Sequence, residues 1–223
     1  MPEFFQHDIN EATKVGVWKI TEDESFFLSK VPLQRDISHP HKRLQHLAGR
    51  CLLPHLFPDF PAGEIAIADT RKPFLEDERY HFSISHCGDY AAAIVSSSNR
   101  VGVDIEAITD KVVKLKNKYL TPGEQQLEKS IFSGRKEDSP IWPGIADARE
   151  VLFCTLSWSA KEAMFKWFAA GQLDFRRHMQ ILNINFTDTS SGIISCRFSK
   201  RLERDLQVEF RILGSNILAW VIT

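Results

Sequence analysis

Apolar positions change period several times along the chain, and each change predicts an element. Residues 4–20 pattern as one or two strands. From about Ser38, Leu44, Leu47, Ala48, Cys51 and Leu52 recur at helical spacing. Pro54 is expected to kink or end that helix and Pro58 to close the segment. Strand-like runs rich in β-branched or aromatic residues follow at 65–68, 80–86, 90–96 and 101–105. Short turns at Cys87-Gly88-Asp89 and Ser98-Asn99-Arg100 predict an antiparallel meander for the last three.

Helical pattern resumes over 111–120 and 121–132. In the second of these Thr121 is an N-cap, Pro122 takes the first helical position and Glu124 completes a capping box. Residues 133–150, rich in Gly, Pro and charge, read as a loop or insertion. The strongest helical pattern spans 157–171, with Gly171 as its closing residue. Short strands at 181–186, 193–198, 208–213 and 217–223 end the chain. This order predicts an α+β protein of two similar-sized lobes, each a small, mostly antiparallel sheet packed with helices. The expected division is 1–103 for the N-terminal lobe and 104–223 for the C-terminal lobe, with a ligand site at the junction.

Two stretches hold candidate chemistry. In Val101-Gly-Val-Asp-Ile-Glu106, strand alternation puts Val101, Val103 and Ile105 on one face and Gly102, Asp104 and Glu106 on the other. Two neighbouring carboxylates suit a divalent cation. In Trp158-Ser-Ala-Lys-Glu-Ala-Met-Phe-Lys166, helical spacing aligns Trp158, Glu162 and Lys166. A third carboxylate and a cation then project together, a set suited to hard-metal, phosphate-transfer chemistry. Singly, each stretch has a plainer reading. Glu162 and Lys166 also fit a surface ion pair worth about 0.3–0.5 kcal/mol. Ser159 and Glu162 fit a capping box, and Asp104 and Glu106 fit the solvated side of a half-exposed strand.

Composition narrows the function classes. The 223 residues suffice for one large domain or two small ones. A formal net charge of −1 gives no global field toward nucleic acid or anionic membranes, so any anion site must be a local cluster. No apolar run approaches membrane-spanning length, and Met1 to Asn10 has neither the basic start nor the apolar run expected of a secretion signal. Cys51, Cys87, Cys154 and Cys196 are scattered without a C-x-x-C or zinc-type pattern, as expected of free thiols in a reducing compartment. A cytoplasmic protein with no nucleic-acid or membrane partner is expected.

From about Arg43 to Leu182 the chain resembles the 4′-phosphopantetheinyl transferases, specifically the long, single-chain, surfactin-synthetase-activating type. Four blocks support this. Arg71-Lys-Pro73 resembles the family's Gly-Lys-Pro turn, and Ser83-Ile-Ser-His86 its Asn-x-Ser-His strand end. Val101 to Glu106 resembles its Gly-x-Asp-x-Glu, and Trp158 to Lys166 its Trp-x-x-Lys-Glu-x-x-x-Lys. Leu120-Thr-Pro-Gly-Glu124 is a weaker match to the Phe-x-x-x-Glu helix start.

The resemblance implies a pseudo-symmetric two-lobed fold and a reaction. Phosphopantetheine passes from coenzyme A, the co-substrate, to a serine of an apo acyl or peptidyl carrier protein, releasing 3′,5′-ADP. It implies Mg²⁺ held by Asp104, Glu106 and Glu162, with Asp104, Glu162 and Lys166 as the catalytic set. Glu162 would act as general base and Lys166 would contact the phosphates. Ser85 and His86 match positions that bind coenzyme A phosphate, and Lys72 and Pro73 match the nucleotide-binding turn. Arg71 stands where the family has glycine, so either the turn differs or Arg71 adds a contact. Arg43 and Arg50 lie on the early helix, where one is expected to pair with the 3′-phosphate. Trp158 is expected to pack. Lys111, Lys114, Lys116 and Lys118 are expected to help dock an acidic carrier, their plainer reading being a solvated face. Both lobes in one chain allow a monomer to form the complete site. Two rivals stand beside this: a homologue that binds coenzyme A or a carrier without turnover, and a metal-dependent nuclease.

Overall fold

The structure, a computed structural model, describes residues 4–34, 36–132 and 148–223. It opens with a hairpin of β1 (Phe4–Asn10) and β2 (Thr13–Lys19). A short helix, α1 (Glu24–Leu28), follows, its start capped by Asp23 accepting from the Phe26 amide. The long helix α2 (Pro40–Leu56) comes next. It runs through Pro54, because a proline in the last turn deprives only one carbonyl of its partner. Strands β3 (Ala66–Ile67) and β4 (Pro73–Phe74) flank a tight turn. Then come β5 (His81–Cys87), β6 (Tyr90–Ser96) and β7 (Val101–Ala107).

Two single turns, α3 (Lys111–Lys114) and α4 (Lys116–Tyr119), replace the one helix expected over 111–120, breaking at Leu115. Helix α5 (Pro122–Phe132) has the expected capping box. The Thr121 amide donates to Glu124 Oε2 at 2.7 Å and the Glu124 amide to Thr121 Oγ1 at 3.2 Å. Helix α6 (Ala148–Phe168) starts well before Ser157. Most of the loop expected over 133–150 lies outside the described residues. Val151 to Ser157 are buried on every side of α6, so that stretch shows no amphipathic stripe. The helix stops at Phe168 rather than at Gly171, with Ala169 in the left-handed region at φ 67°. Strands β8 (Met179–Phe186), β9 (Ser191–Lys200), β10 (Leu202–Leu213) and β11 (Asn216–Ile222) complete the chain.

The first sheet has the order β1-β2-β6-β5 and the second β7-β11-β10-β9-β8, all pairings antiparallel. The expected meander over 80–105 therefore breaks after β6, and β7 joins the other sheet. Ser96 Oγ accepts from the Ser98 and Asn99 amides at 3.3 and 3.0 Å, turning the chain. Arg100 then exchanges both backbone hydrogen bonds with Thr223, which seats β7 beside β11.

The layers run helix, sheet, sheet, helix. Leu47, Ala48 and Leu52 of α2 cover Trp18, Ala91, Ala93 and Val95 on the outer face of the first sheet. Leu156, Ala160, Ala163 and Met164 of α6 cover Ile194, Cys196, Ile217 and Ala219 on the outer face of the second. The inner faces meet as Val15, Val17, Ala92 and Ile94 pack on Val101, Val103, Ile105, Leu218 and Trp220. Each such aliphatic side chain contributes about 1.5–3 kcal/mol, so the apolar face of β7 is firmly held. No helix among the described residues is long and apolar enough to cross a membrane.

Candidate active site

Val101, Val103 and Ile105 turn into the core between the sheets, which sends Gly102, Asp104 and Glu106 toward α6. Gly102 sets how close that helix comes. A Cβ there would stand 2.1 Å from the Ala163 carbonyl oxygen and 2.7 Å from the Trp167 amide nitrogen. With hydrogen in that place, α6 lies directly on the strand and brings Glu162 and Lys166 over Asp104. The solvated-face reading of Asp104 is thereby excluded, since it is 4 % exposed.

Strand β5 flanks the other edge of β7. Ser83 Oγ accepts from the Val103 amide at 3.2 Å, Ser85 Oγ donates to Asp104 Oδ1 at 2.8 Å, and Cys87 Sγ donates to Glu106 Oε1 at 3.5 Å. The contacts advance together along both strands, so the two run parallel across the seam between the sheets.

Lys166 Nζ donates to Asp104 Oδ1 and to Ser85 Oγ, both at 2.7 Å. Asp104 Oδ1 thus takes two donors, while its buried Oδ2 has none. A buried carboxylate oxygen without a donor is costly unless something else supplies positive charge. The neighbouring acids feel the same excess of negative charge. Burial first, then repulsion from Asp104, pushes Glu162 up to about 7, against the opposing pull of Lys166. Burial and the Asp104 charge also raise Glu106, which is held down in part by hydrogen bonds from Cys87, the Ala107 amide and the Trp158 indole. Cys87 itself is pushed up to about 11 by burial and by Glu106, so it stays a neutral thiol. All four cysteines are free.

The donor set fits a small divalent cation. Three carboxylates act on one another, Lys166 pairs with Asp104 and acts on Glu162, Asp104 Oδ2 is orphaned, and two of the acids have raised proton affinity that a cation would lower. Among the described residues no three acid, imidazole or thiol groups close into a finished cage. Mg²⁺ seldom needs one, since it keeps waters and takes substrate phosphate oxygens beside one or two carboxylates.

Beside Lys166 lies a cleft of about 630 Å³ lined by the 70–73 turn, β5 residues 82–84 and the end of α6. Lys72 Nζ donates to the Lys166 carbonyl at 2.7 Å, capping an orphan acceptor of the last helical turn. Burial, and secondarily the Arg100 charge, pull Lys72 down to about 8. Pro73 opens β4 on the wall of the same cleft. Arg71 adopts φ 66°, so the turn keeps a conformation that ordinarily requires glycine.

Other expected positions lie elsewhere. His86 is exposed near the end of β5. Arg43 pairs with Glu24 at 2.7 Å and donates to the Ile37 carbonyl at 2.8 Å. Arg50 is buried against Gln34. Lys116 is tied to Glu150, while Lys111, Lys114 and Lys118 are exposed.

The part played by Lys161, and second roles for Glu124 and Trp158, were not evident in the sequence. Lys161, fully buried, pairs with Glu124 at 2.6 Å and donates to the Tyr119 and Phe175 carbonyls at 2.7 and 3.0 Å. Glu124 also accepts from the Ile181 amide at 2.8 Å, so this pair ties α5, β8 and the 173–175 loop to α6. Trp158 packs as expected, with Tyr119 and Phe175 at 5.0 and 5.5 Å between ring centres, and its indole also reaches Glu106. The four-residue spacing that put Trp158 in line with Glu162 was the available signal for that second role.

Residues 100–219 match the family described as ACPS, the 4′-phosphopantetheinyl transferase superfamily. Enterobactin synthase component D of Salmonella typhimurium is 30 % identical over 185 residues, covering 81 % of this chain and 71 % of that protein. The protein of the same name from Salmonella austin is 27 % identical over 184 residues, with the same coverage. The 4′-phosphopantetheinyl transferase AcpT of Escherichia coli K12 is 40 % identical over 68 residues, covering 30 % of this chain and 34 % of that protein.

Proposed function

Because the chain belongs to the 4′-phosphopantetheinyl transferase superfamily, we propose that it moves phosphopantetheine from coenzyme A to a serine of an apo acyl or peptidyl carrier protein, with Mg²⁺ and with release of 3′,5′-ADP. The observation that supports this most is the Lys166–Asp104–Ser85 network beside a carboxyl raised to about 7.

Asp104 Oδ2, Glu106 and Glu162 would hold the cation, which when bound offsets the negative charge of the pyrophosphate. Glu162 is the general base: burial and Asp104 raise its proton affinity, and the cation it helps to hold would lower that affinity again, leaving the carboxylate ionised and ready to accept a proton near neutral pH. It takes the proton of the serine hydroxyl as the serine oxygen bonds to the phosphorus bearing pantetheine. The bond from that phosphorus to the ADP oxygen breaks in the same displacement. An ammonium has three protons, and Lys166 commits two of them to Asp104 and Ser85. The third serves a phosphate oxygen, where charge gathers as ADP leaves. Asp104 therefore aims Lys166, and Ser85 holds Asp104. Lys72 steadies the turn of α6 from which Lys166 projects, with Pro73 bordering the nucleotide. His86, exposed near the end of β5, would contact a phosphate of coenzyme A. Arg43 and Arg50 would need to give up or share protein acceptors to reach the 3′-phosphate. Exposed Lys111, Lys114 and Lys118 present the charge for an acidic carrier, and the protein acts as a cytoplasmic monomer.

The test is intact-mass analysis of apo carrier proteins incubated with coenzyme A and Mg²⁺. The expected result is a gain of one phosphopantetheine, lost without Mg²⁺ and in Glu162→Gln. Binding of coenzyme A without any mass gain would favour the binding-only alternative and overturn the proposal.

A further inference from the structure

Among the described residues, the wall of the cleft beside Lys166 has three cations, Arg71, Lys72 and Lys166, and no carboxylate. Phe82 and Phe165 supply apolar surface beside them. Two of the cations already have protein acceptors. Lys72 is held by the Lys166 carbonyl, and Lys166 by Asp104 and Ser85. The Arg71 guanidinium has no hydrogen bond or ion pair with any described residue.

That arginine occupies its position at a conformational cost. Its φ of 66° lies in the left-handed region, where a glycine would sit without strain. The turn is nevertheless well formed: the Arg71 amide donates to the Ala68 carbonyl at 2.7 Å and the Ala68 amide to the Lys72 carbonyl at 2.9 Å. Ala169 and Gly171, at φ 67° and 68°, line the same cleft, so left-handed backbone gathers around it. Such conformations concentrate where a ligand is gripped. The cleft thus combines net positive charge, apolar walls and one uncommitted planar donor fork, a shape that matches a nucleotide phosphate.

We propose that Arg71 is a substrate-binding residue whose guanidinium holds a phosphate group of the nucleotide half of coenzyme A. This rests on the transferase reading above and adds to it a contact specific to this chain. Three elements then divide the labour: Arg71 anchors the nucleotide, Lys166 serves the reacting phosphate, and Lys72 fixes the helix end.

Arg71→Gly is the informative variant, because glycine keeps the turn and only the side chain is lost. Transfer is measured with coenzyme A and apo carrier varied separately, and coenzyme A binding is measured by calorimetry. The expected result is a rise of about fivefold to twentyfold in KM and Kd for coenzyme A. The KM for carrier should hold, and kcat at saturating coenzyme A should move far less. Arg71→Lys, which keeps charge but not the fork, should recover part of the loss. Wild-type affinity for coenzyme A in Arg71→Gly would overturn the proposal, as would equal rises in both KM values with a lowered Tm. If the wild type transfers nothing, the transferase reading fails, and calorimetry with coenzyme A still decides for or against Arg71.

Discussion

Replacing Glu162 by Gln should abolish transfer yet stabilise the fold at neutral pH. Burial and the charges of Asp104 and Glu106 raise this carboxyl from the ordinary 4.5 to about 7. The unfolded chain ionises near 4.5 and the folded one only near 7. The sign follows from linkage: between those values the unfolded state has shed the proton that the native state keeps, so stability falls as pH rises. The penalty is absent below the lower value and constant above the upper. At about 1.4 kcal/mol per unit the full rise is worth about 3 kcal/mol. Partial access of solvent reduces this to about 1–2 kcal/mol. Urea unfolding of both proteins from pH 4.5 to 8, with chelator present, reads the difference. Glutamine should gain about 1–2 kcal/mol at pH 8 and nothing measurable near pH 4.5. Saturating Mg²⁺ should narrow the gap, because a cation bound to the native wild type stabilises it. A Gln variant less stable than wild type at pH 8, or a gap of the same size at both ends, would refute the charge-crowding argument.

Other perturbations separate the parts of the account. Gly102→Ala forces a Cβ to within 2.1 Å of the Ala163 oxygen, so α6 must lift from β7. It should cost about 3 kcal/mol or more and remove activity, measured by urea unfolding beside the mass assay; near-native stability would mean the helix has slack. Lys161→Met leaves Glu124 charged and buried without its cation, which should cost about 3–5 kcal/mol in denaturant titration. A small loss there would mean the pair only replaces apolar packing. Lys166→Gln removes the side-chain charge that favours ionised Glu162, and with Mg²⁺ saturating in both proteins the pull of the cation is common to them. The acid limb of residual kcat/KM should therefore move to higher pH than in wild type, and a limb that stays put would take the base role from Glu162.

Much of the reactive strand was legible because its physics is local. Alternation alone assigned Val101, Val103 and Ile105 to a core face and Asp104 and Glu106 to the opposite one, and the four-residue helical period paired Glu162 with Lys166. The α5 capping box was equally local. Sheet membership was not. A short turn after β6 reads as a hairpin, yet Ser96 bends it and the partner that captures Arg100 is Thr223, at the far end of the chain. The first turns of α6 escaped for a different reason. A helix buried all round has no polar stripe to give the period away. Lys161 and Glu124 meet only in the folded protein, so the capping role of Glu124 hid its second use. Arg71 shows both sides. Its departure from glycine was visible in the chain, but only the backbone angle says that the turn kept its shape.

The central claim is that Asp104, Glu106, Glu162 and Lys166 form one centre for a cation and a pyrophosphate. It is tested most directly by a crystal structure grown with coenzyme A and Mn²⁺ in place of Mg²⁺, using the metal's anomalous signal. The account predicts a peak within coordinating distance of Asp104 Oδ2, shared with at least one of the glutamates and a pyrophosphate oxygen, with Lys166 on the phosphates. A peak elsewhere, with Asp104 Oδ2 still unliganded and the pyrophosphate remote from Lys166, would contradict it.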